Sequence, residues 1–257
     1  MKYRKAVFTA ISVILWIGIW FAAARLADKE IFFPGPTAVA AAFGRLIRSR
    51  GFYSGIIVSL SGIAAGFAAG FAAGAALSAL VFRFPFLETF IGVPIKIIKA
   101  VPVASFVILA LLWLDSKKLS VLISAMMVTP VIYSGTLSGL RGTDVKMLEF
   151  AKVFRLSALK KIRYIYIPAV MNPLISASSV AIGFAWKSGI AAEIIGLIKG
   201  SIGNELYKAK LYLETPELFA WTVTIIIVSA LCEKAILLLL SLAGRALGGV
   251  TNVRNTD

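Results

Sequence analysis

The chain has 257 residues, of which 60% are hydrophobic and only 15% charged, and its mean hydropathy is +0.91. Those values exclude an ordinary soluble domain, and apolar runs near the roughly 20 residues needed to cross a bilayer recur along the chain. The runs lack strand alternation, so spans must be helical, because a lipid-exposed backbone has to satisfy its own hydrogen bonds. The formal charge is +15, but the basic residues lie between apolar runs and form no stripe with aromatics. That distribution argues against nucleic acid and for a cytoplasmic loop bias and anionic lipid. With no histidine and Cys232 alone, disulfides, histidine metal sites and histidine proton relays are excluded.

In chain order, Lys2, Arg4 and Lys5 precede an apolar run at residues 6–24. Its 19 residues exceed the roughly 7 to 15 of a secretory signal core, so an uncleaved first span is expected despite the small-residue stretch at its end. Further spans are expected at residues 54–81, 86–113, 119–137, 169–190 and 219–240. The expected fold is therefore all-α: a polytopic membrane protein of about six helices, one domain over 1–257 with its core near 54–240. Six spans put both termini on one side, and the basic N-terminus makes that side the cytoplasm.

Between spans one and two, residues 37–48 read as an amphipathic interfacial helix that follows Pro34-Gly35-Pro36 and is capped by Thr37, with Arg45 and Arg48 at headgroup level. Span two carries Gly62, Gly66, Gly70 and Gly74 at intervals of four, with Ala65, Ala69 and Ala73 in the neighbouring stripe. Such spacing permits close approach of another helix, from this chain or a second copy. In span three, Lys96 and Lys99 share a face between Pro94 and Pro102, which free backbone carbonyls and bend the span. They fit an anion route, snorkelling to headgroups, or pairing with Glu88.

The loop at residues 138–167 is the most basic segment, with Arg141, Lys146, Lys152, Arg155, Lys160, Lys161 and Arg163 against Asp144 and Glu149. Asp144 can cap a helix whose Met147, Leu148, Ala151 and Phe154 form an apolar edge. A break follows at Arg155-Leu156, and Ser157 can cap a second helix running to Pro168. Two readings of this pair stand on pattern alone: a knob for a soluble partner, or a helix pair lying on the membrane surface. Beyond it, Lys187 with Ser188 can meet a small anion or snorkel, and Glu193 fits capping, ion pairing or gating. Glu233 and Lys234 are adjacent and point to different helices. The chain from Gly248 reads as a short frayed end.

The stretch Glu149-Phe150-Ala151-Lys152-Val153-Phe154-Arg155-Leu156-Ser157, continuing to Ile165-Tyr166-Ile167-Pro168, resembles the EAA loop of binding-protein-dependent ABC importer permeases. Glu149, Ala151, Ile165 and Pro168 match that motif, Phe150 replaces an alanine, and Arg155 replaces a glycine. An arginine there requires either ordinary dihedrals at the bend or a left-handed strain of about 1 to 2 kcal/mol. The resemblance covers residues 32–240 and is nearest the nitrate, sulfonate, taurine and bicarbonate branch, through residues 33–37, Lys99-Ala100-Val101-Pro102, Ala185-Trp186 and Ala191-Ala192-Glu193. It implies a type I importer permease, a homodimer with a second copy, cytoplasmic ATP-binding-cassette subunits and an extracytoplasmic substrate-binding protein. It also implies ATPase coupling by Glu149, Phe150, Ala151, Phe154, Arg155, Ser157 and Pro168; Lys99, Lys187, Ser188 and Glu193 are pathway candidates on their own polarity within the spans.

No cofactor is expected in this chain. Its only Lys-Ser pair, Lys187-Ser188, follows Trp186 where a phosphate loop needs glycine, so ATP and Mg belong to a partner. The sequence therefore reads as a multi-pass permease subunit of the cell membrane, not an enzyme, moving a small solute such as a sulfonate or nitrate-like anion. The alternative is a secondary transporter or channel that needs no ATP.

Overall fold

In the computed structural model, which describes residues 2–27 and 31–246, every regular element is helical. The stretch from Gly248 lies outside the described residues. Five long helices carry spans: α1 (Lys2–Ala27), α3 (Arg50–Arg83), α6 (Leu119–Arg141), α9 (Ile167–Ile195) and α11 (Thr215–Ala246). The remaining helices are α2 (Pro36–Leu46), α4 (Leu87–Ala100), α5 (Val103–Ala110), α7 (Val145–Val153), α8 (Ala158–Lys161) and α10 (Ile202–Leu211).

The third span, expected at residues 86–113 with a bend at its prolines, is bent more sharply than a kinked single helix. It is a broken pair, α4 and α5, bent by 103° at Val101-Pro102. Proline at 102 disfavours helical dihedrals at Val101, which adopts φ −79 and ψ 132. Pro94 and Pro130, by contrast, lie inside continuous helices.

Thr37 does not cap α2. Gly35 holds the N-cap position with extended dihedrals and Pro36 occupies the first turn, where a missing N–H costs nothing. Nor does α2 lie free at an interface: Val39 and Ala42 are buried against Ala220 of α11, and Arg45 reaches Glu217 at 3.8 Å. The second helix of the 138–167 loop is likewise not separate. From α8 the chain passes through a π turn, Ile162–Tyr166, directly into α9, making one 38-residue rod, Ala158–Ile195. Pro168 can supply no N–H and its ring crowds the preceding turn, which accounts for the widening just before it.

The glycine row of α3 lies on α6 of the same chain. A Cβ built on Gly62, Gly66, Gly70 or Gly74 would come within 2.5 to 2.7 Å of Ser120 Oγ, Val121 O, Ala125 O and Thr129 O in turn. Ala65, Ala69 and Ala73 point outward and are exposed, so the two stripes do not share one contact. A neighbouring face of α6 meets α9 in the same manner, through Gly135 against Ala177 and Gly139 against Val170. Phe52, Ile63, Ile132, Ile182, Trp186 and Trp221 fill the space where α3, α6, α9 and α11 converge.

These contacts predict an asymmetry between neighbouring positions of α3. Gly70→Val should lower the unfolding midpoint of the detergent-solubilised protein or prevent folding, since even modest overpacking costs about 1 to 3 kcal/mol and here the neighbour is backbone. Ala69→Val, one residue away on the outer face, should leave the midpoint unchanged.

Candidate functional site

Residues 144–168 build a projecting knob. Asp144 begins α7 by accepting a hydrogen bond from Lys146 N at 2.8 Å. On α7, Ala151 is fully buried and anchors the helix, while Met147, Phe150, Val153 and Phe154 are 48 to 77% exposed. The rings of Phe150 and Phe154 pack with centroids 4.3 Å apart and planes tilted by 34°. Leu159 of α8 extends this apolar ridge, 79% exposed. Lys146, Glu149 and Lys152 are also exposed, and Glu149 forms no ion pair among the described residues.

The bend after α7 is a left-handed one. Arg155 has φ +51; its N–H donates to Lys152 O at 3.1 Å, and Leu156 N donates to Ala151 O at 2.9 Å. This is the Schellman pattern of a helix end, normally built on glycine. Of the two routes open to an arginine, the chain takes the strained one. Two further helix ends repeat it: Leu197 after α9 and Leu213 after α10 have φ +49 and +58, with Ile198 N and Glu214 N returning to Glu193 O and Ala209 O. Ser157 then caps α8, its Oγ 3.5 Å from Lys160 N.

A cleft of about 830 Å³ opens between α4 and α6. At its mouth Arg141 grips Glu88 through two hydrogen bonds of 2.9 and 2.6 Å. Glu88 is thus taken by Arg141, and the pairing with Lys96 or Lys99 considered from sequence does not form. Lys99 instead donates to Ser134 Oγ at 3.1 Å, and that hydroxyl donates to Pro130 O at 2.8 Å. Lys96 also lines the cleft and makes no ion pair among the described residues.

The candidates on α9 separate. Lys187 is exposed, whereas Ser188 is buried and its hydroxyl donates to Ala185 O of its own helix at 3.3 Å. Glu193 is 1% exposed and sits in a closed network that ties three helices. Its Oε2 accepts from Ser59 Oγ at 2.7 Å and from Gly203 N at 3.1 Å, while Ser59 Oγ accepts from Ile202 N at 2.9 Å. This geometry is that of a cap for the start of α10, not of a group lining an open route. Ser59, which nothing in the sequence singles out, holds the α3 end of the network. Glu233 accepts from Ser179 Oγ, and Lys234 is exposed.

Replacing Arg155 by glycine should raise the unfolding midpoint, by an amount equivalent to about 1 kcal/mol, because the left-handed penalty disappears. Arg155→Val should lower it. Glu193→Ala should destabilise by about 1 to 3 kcal/mol through the stranded Gly203 N–H and Ser59 hydroxyl, and hydrogen exchange at the start of α10 should quicken.

Comparison with known proteins connects the bundle to a family. Residues 62–247 match the family described as "Binding-protein-dependent transport system inner membrane component". The chain is 25% identical over 207 residues to the "Putative aliphatic sulfonates transport permease protein SsuC" of Bacillus subtilis (strain 168), covering 80% of this chain and 75% of that one. It is 24% identical over 227 residues to a "Probable ABC transporter permease protein" of Brucella melitensis, covering 87% and 90%. A "Probable ABC transporter permease protein" of Brucella abortus (strain 2308) is also 24% identical over 227 residues, covering 87% and 89%. With the family match spanning α3 to the end of α11, this chain belongs to the inner-membrane permease components of binding-protein-dependent transport systems.

Proposed function

We propose that the chain forms the translocation route of an ATP-binding-cassette importer for a small organic or inorganic anion, and that the α7 knob is where the ATPase docks. The observation that carries this reading is the uncovered ridge of Met147, Phe150, Val153, Phe154 and Leu159 beside unpaired Glu149, mounted on the rod that continues into α9. A ridge of this kind matches an apolar groove on a soluble partner, with a carboxylate to fix register. Both termini and the knob then face the cytoplasm, as the basic residues of the loop require.

In this scheme the partner ATPases hold ATP and Mg, and their closure pushes the knob. Because α8, the π turn and α9 are continuous, the push reaches a helix packed on α6 through Gly135 and Gly139. Ala151 seats the knob, and Arg155, Ser157 and Pro168 fix the angle at which it is held. An extracytoplasmic binding protein delivers the solute, a second copy of this chain completes the route, and anionic lipid surrounds the basic ends. The sulfonate named for the Bacillus relative is the model solute, with Lys99 and exposed Lys187 as the cations it meets.

Glu149→Arg should abolish copurification with the ATPase, or reduce ATP-dependent uptake in proteoliposomes at least tenfold, while leaving the amount of inserted permease unchanged. Uptake by the purified chain alone, without ATP or any ATPase, would instead identify a secondary transporter or channel.

A further inference from the structure

The polar cleft between α4 and α6 does not end at Lys99. On the far side of that lysine lies a second cavity of about 350 Å³, lined by Val101, Pro102, Met127, Val131 and Phe184 among others, and Lys99 forms part of both walls. Its origin is the 103° bend at Val101-Pro102, which turns α5 away from the line of α4 and leaves room beside α6. The two compartments differ in chemistry. One presents Lys96, Lys99, Tyr133, Ser134 and the Arg141–Glu88 pair; the other presents almost only hydrocarbon and an aromatic ring.

We infer that these two cavities together bind a small organic oxyanion carrying a short apolar tail, with the head at Lys99 and the tail against Phe184 and Met127. The charge balance favours an anion: Arg141 and Glu88 neutralise each other, and Lys96 and Lys99 remain. Lys99 is also placed for it. Ser134 Oγ commits its proton to Pro130 O and accepts from the ammonium, which holds the nitrogen in position and leaves two of its three N–H donors for a ligand. A free inorganic anion would leave the apolar compartment unused, and a neutral hydrocarbon would leave the lysine unanswered. Phe184 is followed one turn later on α9 by Lys187, also exposed, so a second cation stands beyond the tail compartment. A lipid headgroup shares the chemistry of oxyanion and hydrocarbon, and the experiment separates the two sources.

The inference deepens the permease reading and rests on it for the direction of transport, but its test is equilibrium binding without ATP. The protein, purified with whatever subunits accompany it, is placed in phosphatidylcholine nanodiscs. Radiolabelled hexanesulfonate is the probe, displaced by unlabelled butane- and methanesulfonate. Affinity should rise about threefold to fourfold per methylene as the tail fills the apolar cavity. Lys99→Ala should weaken every sulfonate about tenfold or more, and Lys99→Arg should retain binding; Lys99→Gln replaces the alanine variant if that does not fold. Phe184→Ala should flatten the dependence on tail length and leave methanesulfonate unaltered. Hexylammonium should not compete, and Lys234→Ala, in the sixth span, should behave as wild type.

Equal affinity for methane- and hexanesulfonate, or undiminished binding by Lys99→Ala, would overturn the inference. So would competitive displacement of the probe by phosphatidylglycerol in the nanodisc, which would make the cavity a lipid site. A complex that copurifies with its ATPase and consumes ATP yet shows no tail-dependent binding refutes this site and spares the permease reading. Tail-dependent binding by a chain that transports without ATP does the reverse.

Discussion

Close backbone contact on two neighbouring faces of α6 is the constraint from which the rest of the bundle follows. In hydrocarbon, helices gain nothing from hiding apolar side chains, so association depends on van der Waals fit and on polar groups that find partners. Gly62, Gly66, Gly70 and Gly74 admit one face of α6, and Gly135 and Gly139 admit α9 to the neighbouring face of α6. Ser124 Oγ bonds Ala185 O across the second of these interfaces at 3.0 Å. With α6 thus clasped, α10 is fixed through Ser59 and Glu193, and α11 closes over the remaining core.

The clasp also explains where the structure is open. Helices α4 and α5 are joined to α6 by apolar contacts, Ile95 with Tyr133 and Leu137 and Val107 with Leu119 and Ile123, and α4 also by two polar links, Arg141 to Glu88 and Lys99 to Ser134; two cavities open beside these links. A transporter has to keep some of its interior accessible to solute. The division into a glycine-packed wall and a proline-broken, charge-lined wall places rigidity and access on opposite sides of the same helix.

The sequence made some of this legible and hid the rest for identifiable reasons. Glycine at intervals of four has one structural use in a span, so the tight face of α3 could be read, and Asp144 and Ser157 announce helix starts because their side chains accept backbone N–H groups. The bend in the third span is marked by Pro94 and Pro102, but the sequence does not say which of them breaks the helix: the chain runs helical through Pro94 and breaks at Pro102. Pro168 misled, since a π turn lets the helix run through it. The left-handed ends at Leu197 and Leu213 carry no cue, since the usual one is a glycine at the left-handed position, and Arg155 offers it only as one of two routes, through the glycine it replaces. Side-chain partnerships such as Ser59 with Glu193, separated by 134 positions, depend on the assembled bundle.

The rod formed by α8, the π turn and α9 bears on the depth of the knob. Its 38 residues extend about 57 Å at 1.5 Å per residue, and a tilt of about 20° still leaves about 54 Å along the membrane normal. The hydrocarbon takes about 30 Å of that, and both headgroup layers together about 10 to 15 Å more. At that average tilt the rod is about 10 Å longer than the whole bilayer, so an end of it reaches past the headgroups. The end beyond the π turn carries Lys160 and Lys161, with Arg163 in the turn itself, and is the one water accepts. The α7 knob, with Phe150 and Phe154, is joined to that end through Ser157, so the same length that takes the rod out of the bilayer sets the level at which those rings are held.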